Sequence, residues 1–204
     1  VYEQAPRLAG ADVLYMPLKP ENHYLPDLEA ISQEDRQKAK LILVSYPNNP
    51  TGAIAPDSFY EELIRFAKEN DILIIHDNAY SELVYDGQPG KSFLSFPGAL
   101  ETGVELNSFS KTYGMAGARL GVLAGNREAV SAYRELKRSL DYGIFLPVQY
   151  GGIEALEHGG GSIPETREEY EQRGNLMVAE FGKAGWHSPS CEATMLLWAP
   201  IPAG

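Results

Sequence analysis

The chain has 204 residues, close to the size of one domain and long enough to bury a sizeable core. Its net charge of −11 disfavours binding to nucleic acid or to an anionic membrane surface, because both present phosphates that would repel it. The longest apolar runs, 41–44 and 72–75, are far shorter than the roughly 20 residues needed to cross a bilayer.

Short β-branched runs alternate with amphipathic stretches along the chain, which predicts an α/β fold. The second run is apolar throughout, as is typical of parallel strands that are covered on both faces. A helix follows Ser58 and extends to about Glu69, with Ser58 and Glu61 predicted to form its capping box. Strands are predicted at 41–46, 72–76, 104–107 and 120–124.

The second half of the chain is predicted to be mainly helical. Asn126 is a typical cap for a helix over 127–140, and another helix is expected at 148–157. Three consecutive glycines at 159–161 predict a flexible joint, followed by a charged helix at 164–184 and a closing strand at 195–199. We therefore expect a large domain over 1–158 and the beginning of a smaller α+β domain over 159–204.

The cysteine content gives an expectation about the cellular compartment, and the two ends of the chain give one about its completeness. Cys191 is the only cysteine, so no intramolecular disulfide can form, which fits a reducing cytoplasm, and we expect its thiol to be inert. No signal peptide is visible at the N-terminus. The chain begins without Met and ends directly after a strand-like run, so we expect it to be part of a longer protein.

A polar residue follows the second predicted strand, where ligands bind in open α/β sheets. If the chain stays extended, Asp77 and Ala79 lie on the same side. Ala79 then leaves room for a flat ring, and Asp77 can meet a ring nitrogen. The alternative is that Asp77 only ends the strand or caps a turn. His76 would point to the opposite face, where we expect a satisfied buried histidine.

Lys111 follows the third predicted strand, among small residues. Loss of hydration there would lower the pKa of its amine from about 10.4 and make it a usable nucleophile. The hydroxyls of Ser108 and Ser110 and the guanidinium of Arg119 could hold a phosphate. The alternative is a surface loop with a solvated Lys111 and an Arg119 salt bridge.

Asn49 follows the first predicted strand and is equally ambiguous by itself. It could donate its amide to an oxygen on a ring, or it could serve only the turn at 47–52. The three strand ends together offer the different parts of one ligand site. No metal site is expected, because His23, His158 and His187 lack metal-ligand spacing.

Three motifs carry a resemblance to a known family: YPNNPTG at 46–52, HDNAY at 76–80 and SFSKTYGMAGARLG at 108–121. With this spacing the chain resembles, over essentially its whole length, the class I/II aminotransferases, which are pyridoxal-phosphate enzymes with the aspartate aminotransferase fold. Residues 141–145 and 148–149 are similar to the LL-diaminopimelate and alanine aminotransferase branch. The resemblance implies a three-layer sandwich with a mostly parallel central sheet.

The resemblance also implies roles for individual residues. Lys111 would form an aldimine with pyridoxal 5'-phosphate and later act as the general base, and Asp77 would keep the ring nitrogen protonated. Tyr80 and Asn49 would hydrogen-bond the phenolic oxygen. The residues expected to contact the cofactor are Asn49, Asp77, Ala79, Tyr80, Ser108, Ser110, Lys111 and Arg119.

The implied reaction is transamination between an amino acid and a 2-keto acid by a cytoplasmic homodimer. A β-lyase or a related synthase would keep the same motifs, and so would an aminotransferase-like sensor domain of a transcription regulator. A non-catalytic α/β domain is the remaining alternative. Gly114 and Ala118 stand where many relatives have Asn and Trp, which leaves the subgroup open.

Several parts of the family's site are expected outside this chain. The phosphate loop and the aromatic residue that stacks on the ring would lie upstream, and the arginine that binds the substrate carboxylate would lie downstream. Arg167 and Arg173 are expected on a solvated helix face with i,i+4 partners. Tyr142 and Phe145 could line the substrate pocket or serve packing. We expect the 204-residue chain alone to bind cofactor weakly.

Overall fold

A four-stranded sheet forms the centre of the computed structural model, which describes residues 1–85 and 90–201. Its strands are β1 Leu41–Ser45, β2 Leu73–Asp77, β3 Gly103–Ser108 and β4 Gly121–Gly125, in that order across the sheet. The first three are parallel, and β4 runs antiparallel to β3. The mostly parallel sheet confirms the predicted α/β class, and each predicted strand forms within one residue of its expected ends.

The described residues also form eight α-helices. The predicted helices correspond to α3, α6, α7 and α8, and the bounds of α6 are those expected. The α-helices are α1 Gln4–Leu8, α2 Gln33–Lys38, α3 Asp57–Asn70, α4 Ala99–Thr102, α5 Phe109–Thr112, α6 Arg127–Leu140, α7 Leu146–His158 and α8 Ser162–Lys183. None of them is both long and apolar enough to cross a membrane.

The two predicted helix caps have different outcomes. The Asn126 side chain accepts hydrogen bonds from the backbone N–H groups of Glu128 and Ala129, so this cap is confirmed. The capping box at Ser58 is wrong, because α3 already begins at Asp57 and Pro56 occupies the cap position without a side-chain hydrogen bond. A capping residue must lie outside the helix with non-helical backbone, and Ser58 lies in its first turn.

The hydrophobic core lies between one face of the sheet and α3. The buried face of α3 presents Phe59, Leu63 and Ile64, which belong to the same core cluster as Ile42 and Ile74 of the sheet. The opposite face of β2 is only half-buried, although the continuous apolar run predicted cover on both faces. The difference arises because α3 packs on one face only, so burial alternates along the strand.

The end of the chain differs from the prediction. Glycines 159–161 form a 3₁₀ turn that joins α7 to α8. The predicted strand at 195–199 is wrong, because a strand needs a paired neighbour and the described residues offer this region only an isolated bridge between Val84 and Ala193. The division into domains at residue 159 stays a prediction, and its second part is described as far as Ile201.

Residues 192–194 pack against the segment that follows β2. The backbone N–H of Thr194 donates to the Leu83 carbonyl at 2.7 Å, and that of Tyr85 donates to the Glu192 carbonyl at 3.0 Å. The Tyr85 hydroxyl also donates to the Thr194 carbonyl. Thr194 is fully buried, so these bonds connect residues 192–194 to the segment that follows β2.

Candidate active site

A cavity of about 330 Å³ lies at the carboxyl ends of β1, β2 and β3. Residues from all three strand ends surround it, as expected where ligands bind in open α/β sheets. The eight residues that the resemblance assigned to cofactor contact therefore line one cavity. The full lining is Tyr2, Ser45, Asn49, Asp77, Ala79, Tyr80, Ser108, Ser110, Lys111, Ala116 and Arg119.

Asp77 is the last residue of β2, and both oxygens of its carboxylate accept a hydrogen bond. The backbone N–H of Ala79 donates to Oδ1 at 3.1 Å, and the hydroxyl of Tyr2 donates to Oδ2 at 2.6 Å. Asp77 thus ends the strand in a turn and also faces the cavity, and its contact with a ring nitrogen stays a prediction. Both donors are uncharged, which leaves the negative charge available to a ligand.

Lys111 and Tyr80 lie next to each other in the cavity wall. The Lys111 ammonium is 5.7 Å from the centre of the Tyr80 ring. Burial, together with the nearby Asp77 charge, raises the pKa of the Tyr80 phenol. Tyr80 therefore keeps its proton at neutral pH and can donate a hydrogen bond into the cavity.

Ser108, Ser110 and Arg119 also line the cavity. The Ser108 hydroxyl accepts a hydrogen bond from the Ser110 N–H at 3.2 Å and so begins α5, the short helix that carries Lys111. Arg119 has a left-handed backbone, with φ 53°, and its Nη1 donates to the Ala116 carbonyl at 3.1 Å. This bond uses one of the five guanidinium N–H donors, so others remain for an anion.

The turn after β1 separates the roles of its two asparagines. The buried Asn48 makes the bonds that shape the turn: its Oδ1 accepts from the hydroxyl of Thr51 at 2.7 Å, and its Nδ2 donates to the Ser45 carbonyl at 3.2 Å. The neighbouring Asn49 is exposed and lines the cavity. Because Asn48 stabilises the turn, the amide of Asn49 is available for ligand contact.

His76 lies on the core side of β2 with no exposed surface, which confirms the expected buried histidine. Its Nδ1 is 3.1 Å from Glu105 Oε2, and its Nε2 is 3.3 Å from the Tyr60 hydroxyl. Burial alone would raise the pKa of Glu105, but the hydrogen bonds from His76 and Asn107 lower it below its ordinary value. Cys191 is half-buried, and burial raises the pKa of its thiol, which supports an inert role.

The expectations for four other side chains have different outcomes, and the one for Arg167 is corrected. Arg167 does not pair along its own helix: Nε donates to the Glu82 carbonyl at 2.9 Å and Nη2 to Glu82 Oε2 at 3.1 Å. Its side chain is 15% exposed, because α8 lies against the segment after β2 at this point. Arg173 pairs with Glu169 at i,i+4, as predicted. Tyr142 and Phe145 are exposed and lie outside the cavity lining.

The structure adds Tyr2, Ser45 and Ala116 to the residues predicted for the site. The hydrogen bond from Tyr2 to Asp77 joins residues 75 positions apart in the sequence, so no local sequence pattern predicts it. Ser45 lies within the first predicted strand, 41–46, one position before its predicted end, and it is the last residue of β1 in the structure. Among the residues described, no three His, Cys, Asp or Glu side chains come together as a metal site.

Comparison with known proteins extends over the whole chain. A family model described as aminotransferase class I and II matches residues 1–204. The LL-diaminopimelate aminotransferase of Moorella thermoacetica is 44% identical over 204 residues, and that of Halothermothrix orenii is 45% identical over the same length. Each alignment covers 100% of this chain and 52% of the relative, so the chain spans about half the length of these curated relatives.

Solved structures share this fold. Substrate-bound BacF from Bacillus subtilis superposes with a TM-score of 0.96 at 38% identity, covering 98% of this chain and 51% of that one. A probable N-succinyldiaminopimelate aminotransferase from Thermus thermophilus has a TM-score of 0.90 at 36% identity, covering 100% of this chain and 54% of that one.

Proposed function

The chain belongs to the class I and II aminotransferases, a pyridoxal-phosphate-dependent family, and we propose that its cavity binds this cofactor. We further propose that the protein moves an amino group between an amino acid and a 2-keto acid. The observation that carries the proposal is the meeting of Asp77 with Lys111 and Arg119 in one cavity, although Asp77 belongs to the second motif and the other two residues to the third.

The chemistry of the lining fits pyridoxal phosphate. Asp77 offers a carboxylate held only by neutral donors, which suits a protonated ring nitrogen. Lys111 offers a primary amine to the aldehyde. Arg119, with the hydroxyls of Ser108 and Ser110, offers a cation and two further donors to the phosphate.

The bound cofactor supplies an aldehyde that accepts amino groups and a ring that takes up electron density from the substrate. Asp77 holds the proton at the ring nitrogen, because its carboxylate charge favours the protonated form. The Tyr80 hydroxyl and the Asn49 amide would each donate a hydrogen bond to an oxygen on the ring. Lys111 Nζ would act as general base and acid, taking a proton from the substrate Cα and delivering it to the carbon that the cofactor's aldehyde supplies.

The names of the relatives support one substrate class. Both curated relatives above are named LL-diaminopimelate aminotransferases, which supports a role in amino-acid biosynthesis and makes LL-diaminopimelate the first amino donor to test. The lyase, synthase and sensor alternatives are not favoured, since the family model and these relatives are aminotransferases.

We also propose a homodimer located in the cytoplasm. One face of α7 supports the dimer, because Leu146, Tyr150 and Ile153 follow each other at helical spacing and are 56%, 64% and 49% exposed. The single Cys191 supports a reducing compartment. Sedimentation equilibrium of the full-length protein tests the dimer, and an Ile153→Asp variant should weaken it.

Hydride reduction tests the cofactor assignment directly. Full-length protein incubated with pyridoxal phosphate should turn yellow, and borohydride should then fix one pyridoxyl group to Lys111, as read by peptide mapping. Lys111→Ala should lose the label and essentially all transamination, whereas Lys183→Ala, on the exposed end of α8, should keep both. A label on another lysine, or near-normal turnover of Lys111→Ala, would refute the assignment.

A further inference from the structure

We propose that Tyr2 is a positioning residue for Asp77, and that its hydroxyl fixes the carboxylate in the orientation that receives the cofactor's ring nitrogen. The inference rests on the proposed function, because it requires that Asp77 binds the ring nitrogen of pyridoxal phosphate. Tyr2 lies outside all three sequence motifs, and its contact with Asp77 connects the beginning of the chain to the end of β2.

The geometry shows why one donor would not be enough. A carboxylate at the end of a side chain turns about two single bonds, so a hydrogen bond to one oxygen leaves its plane free to swing. The Ala79 N–H holds Oδ1 at 3.1 Å, and Tyr2 holds Oδ2 at 2.6 Å. With both oxygens held, the plane is fixed, and each oxygen keeps a second lone pair for a further donor.

Tyr2 lines the cavity beside the ends of β1 and β2. Ser45 of β1 pairs in register with Asp77 of β2, and both residues line the cavity together with Tyr2. Burial and the hydrogen bond to Asp77 raise the pKa of the Tyr2 phenol above its ordinary value. The phenol therefore stays protonated through the neutral range and remains a donor to the carboxylate.

An uncharged donor suits this position better than a cation. A lysine or arginine beside Asp77 would offset the carboxylate charge and weaken its hold on the ring proton. The phenol orients the carboxylate and leaves its charge in place. The orientation matters because a hydrogen bond weakens steeply when donor and acceptor are misaligned.

The test is a cofactor-binding titration of the full-length apoprotein, with Tyr2→Phe as the variant. Removing one hydrogen bond to a charged group should weaken pyridoxal phosphate binding about tenfold. An analogue with carbon in place of the ring nitrogen gives the decisive comparison, because it offers Asp77 nothing to hold. Wild type and Tyr2→Phe should bind this analogue equally.

A double-mutant cycle adds a second readout. In an Asp77→Asn background, Tyr2→Phe should cause no further loss of affinity, since the two groups act as one unit. Tyr15→Phe, at a phenol that is 61% exposed, is the matched control and should bind both cofactors like wild type.

The possible results separate this inference from the proposed function. Equal losses for both cofactors would show a general structural role for Tyr2 and overturn the proposal, as would an unchanged affinity for pyridoxal phosphate. Either result leaves the cofactor assignment intact. Wild-type protein that fails to bind pyridoxal phosphate overturns both.

Discussion

His76 Nδ1 and Glu105 Oε2 lie 3.1 Å apart in the core, with side chains that are 0% and 3% exposed. The pair connects β2 to β3 directly behind the cavity, since His76 precedes Asp77 and faces the other side of the sheet. The Glu105 carboxylate is fully hydrogen-bonded: it also accepts from the hydroxyl of Ser92, the amide of Asn107 and the backbone N–H of Phe93.

Replacing Glu105 should destabilise the whole fold. Glu105→Gln keeps the shape but puts an amide N–H₂ where the carboxylate accepts hydrogen bonds, leaving buried donors unpaired, at a cost of about 2 kcal/mol. The free energy of unfolding in urea measures the effect. Glu61→Gln, at an exposed position of α3, is the control and should leave the urea midpoint unchanged. A Glu105→Gln midpoint equal to wild type would show that the network contributes nothing to stability.

The same carboxylate should make stability depend on acid pH. The pKa of Glu105 is lowered in the folded state from its ordinary value of 4.5, so the stabilisation is present above that value and is lost as pH falls through the folded pKa. We therefore expect the difference in the free energy of unfolding between wild type and Glu105→Gln to shrink as the pH falls from about 7 to about 3, as measured by urea unfolding. A difference in unfolding free energy that stays constant across this pH range would contradict a stabilising role for the ionised Glu105 carboxylate.

Asp77→Ala separates binding from chemistry. The variant should still bind pyridoxal phosphate, because the lysine and the phosphate contacts remain. Its transamination kcat should fall roughly 10²–10³-fold, the usual loss when a preorganised charge is removed from an active site. Asp57→Ala removes an exposed carboxylate paired with Lys91 and should keep wild-type turnover. If Asp77→Ala turned over at the wild-type rate, no role in holding the ring proton would remain for it.

Arg119→Ala should weaken cofactor binding through the phosphate alone. The loss of a charge-assisted contact predicts an affinity for pyridoxal phosphate reduced by about 10²-fold. Pyridoxal, which lacks the phosphate, should bind the variant and the wild type equally. Arg138→Ala on α6 removes an exposed guanidinium that pairs with Glu135 and serves as control. Similar losses for pyridoxal and its phosphate would count against the phosphate contact.

Gly103→Ala should destabilise the sheet at the start of β3. An added Cβ would lie 2.8 Å from Ile74 Cβ and 2.8 Å from Phe93 Cε1, too close for the packed core to accept without a shift. Overpacking of this kind costs about 1–3 kcal/mol, and thermal unfolding measures it. Gly182→Ala on α8 meets nothing within 4 Å and should instead raise stability by about 0.5–1 kcal/mol. Equal melting temperatures for the two variants would contradict this account.

The parts of the fold that local chemistry determines were predictable from the sequence. Short apolar runs placed the four strands, and the polar residues after β1, β2 and β3 lie together because parallel strands end at one edge of a sheet. Asn126 as a cap also follows from local hydrogen bonding. These features depend on residues a few positions apart, which a single sequence displays.

Contacts between distant parts of the chain were not predictable in the same way. The Tyr2–Asp77 bond spans 75 positions and the Arg167–Glu82 contact spans 85. A charged helix pattern shows that Arg167 is polar, but it does not show what surface lies opposite. The strand expected at 195–199 failed for a related reason: an apolar run indicates a strand only if a neighbour is present to pair with it.

The wall of the cavity that carries Tyr80 is supported by residues from much later in the chain. Arg167 holds Glu82, and Thr194 holds Leu83, so the segment after β2 is clamped at two successive residues. Truncation after α7 would remove both supports while leaving every reactive side chain in place. The position of this wall therefore depends on contacts that lie beyond the sheet in the sequence.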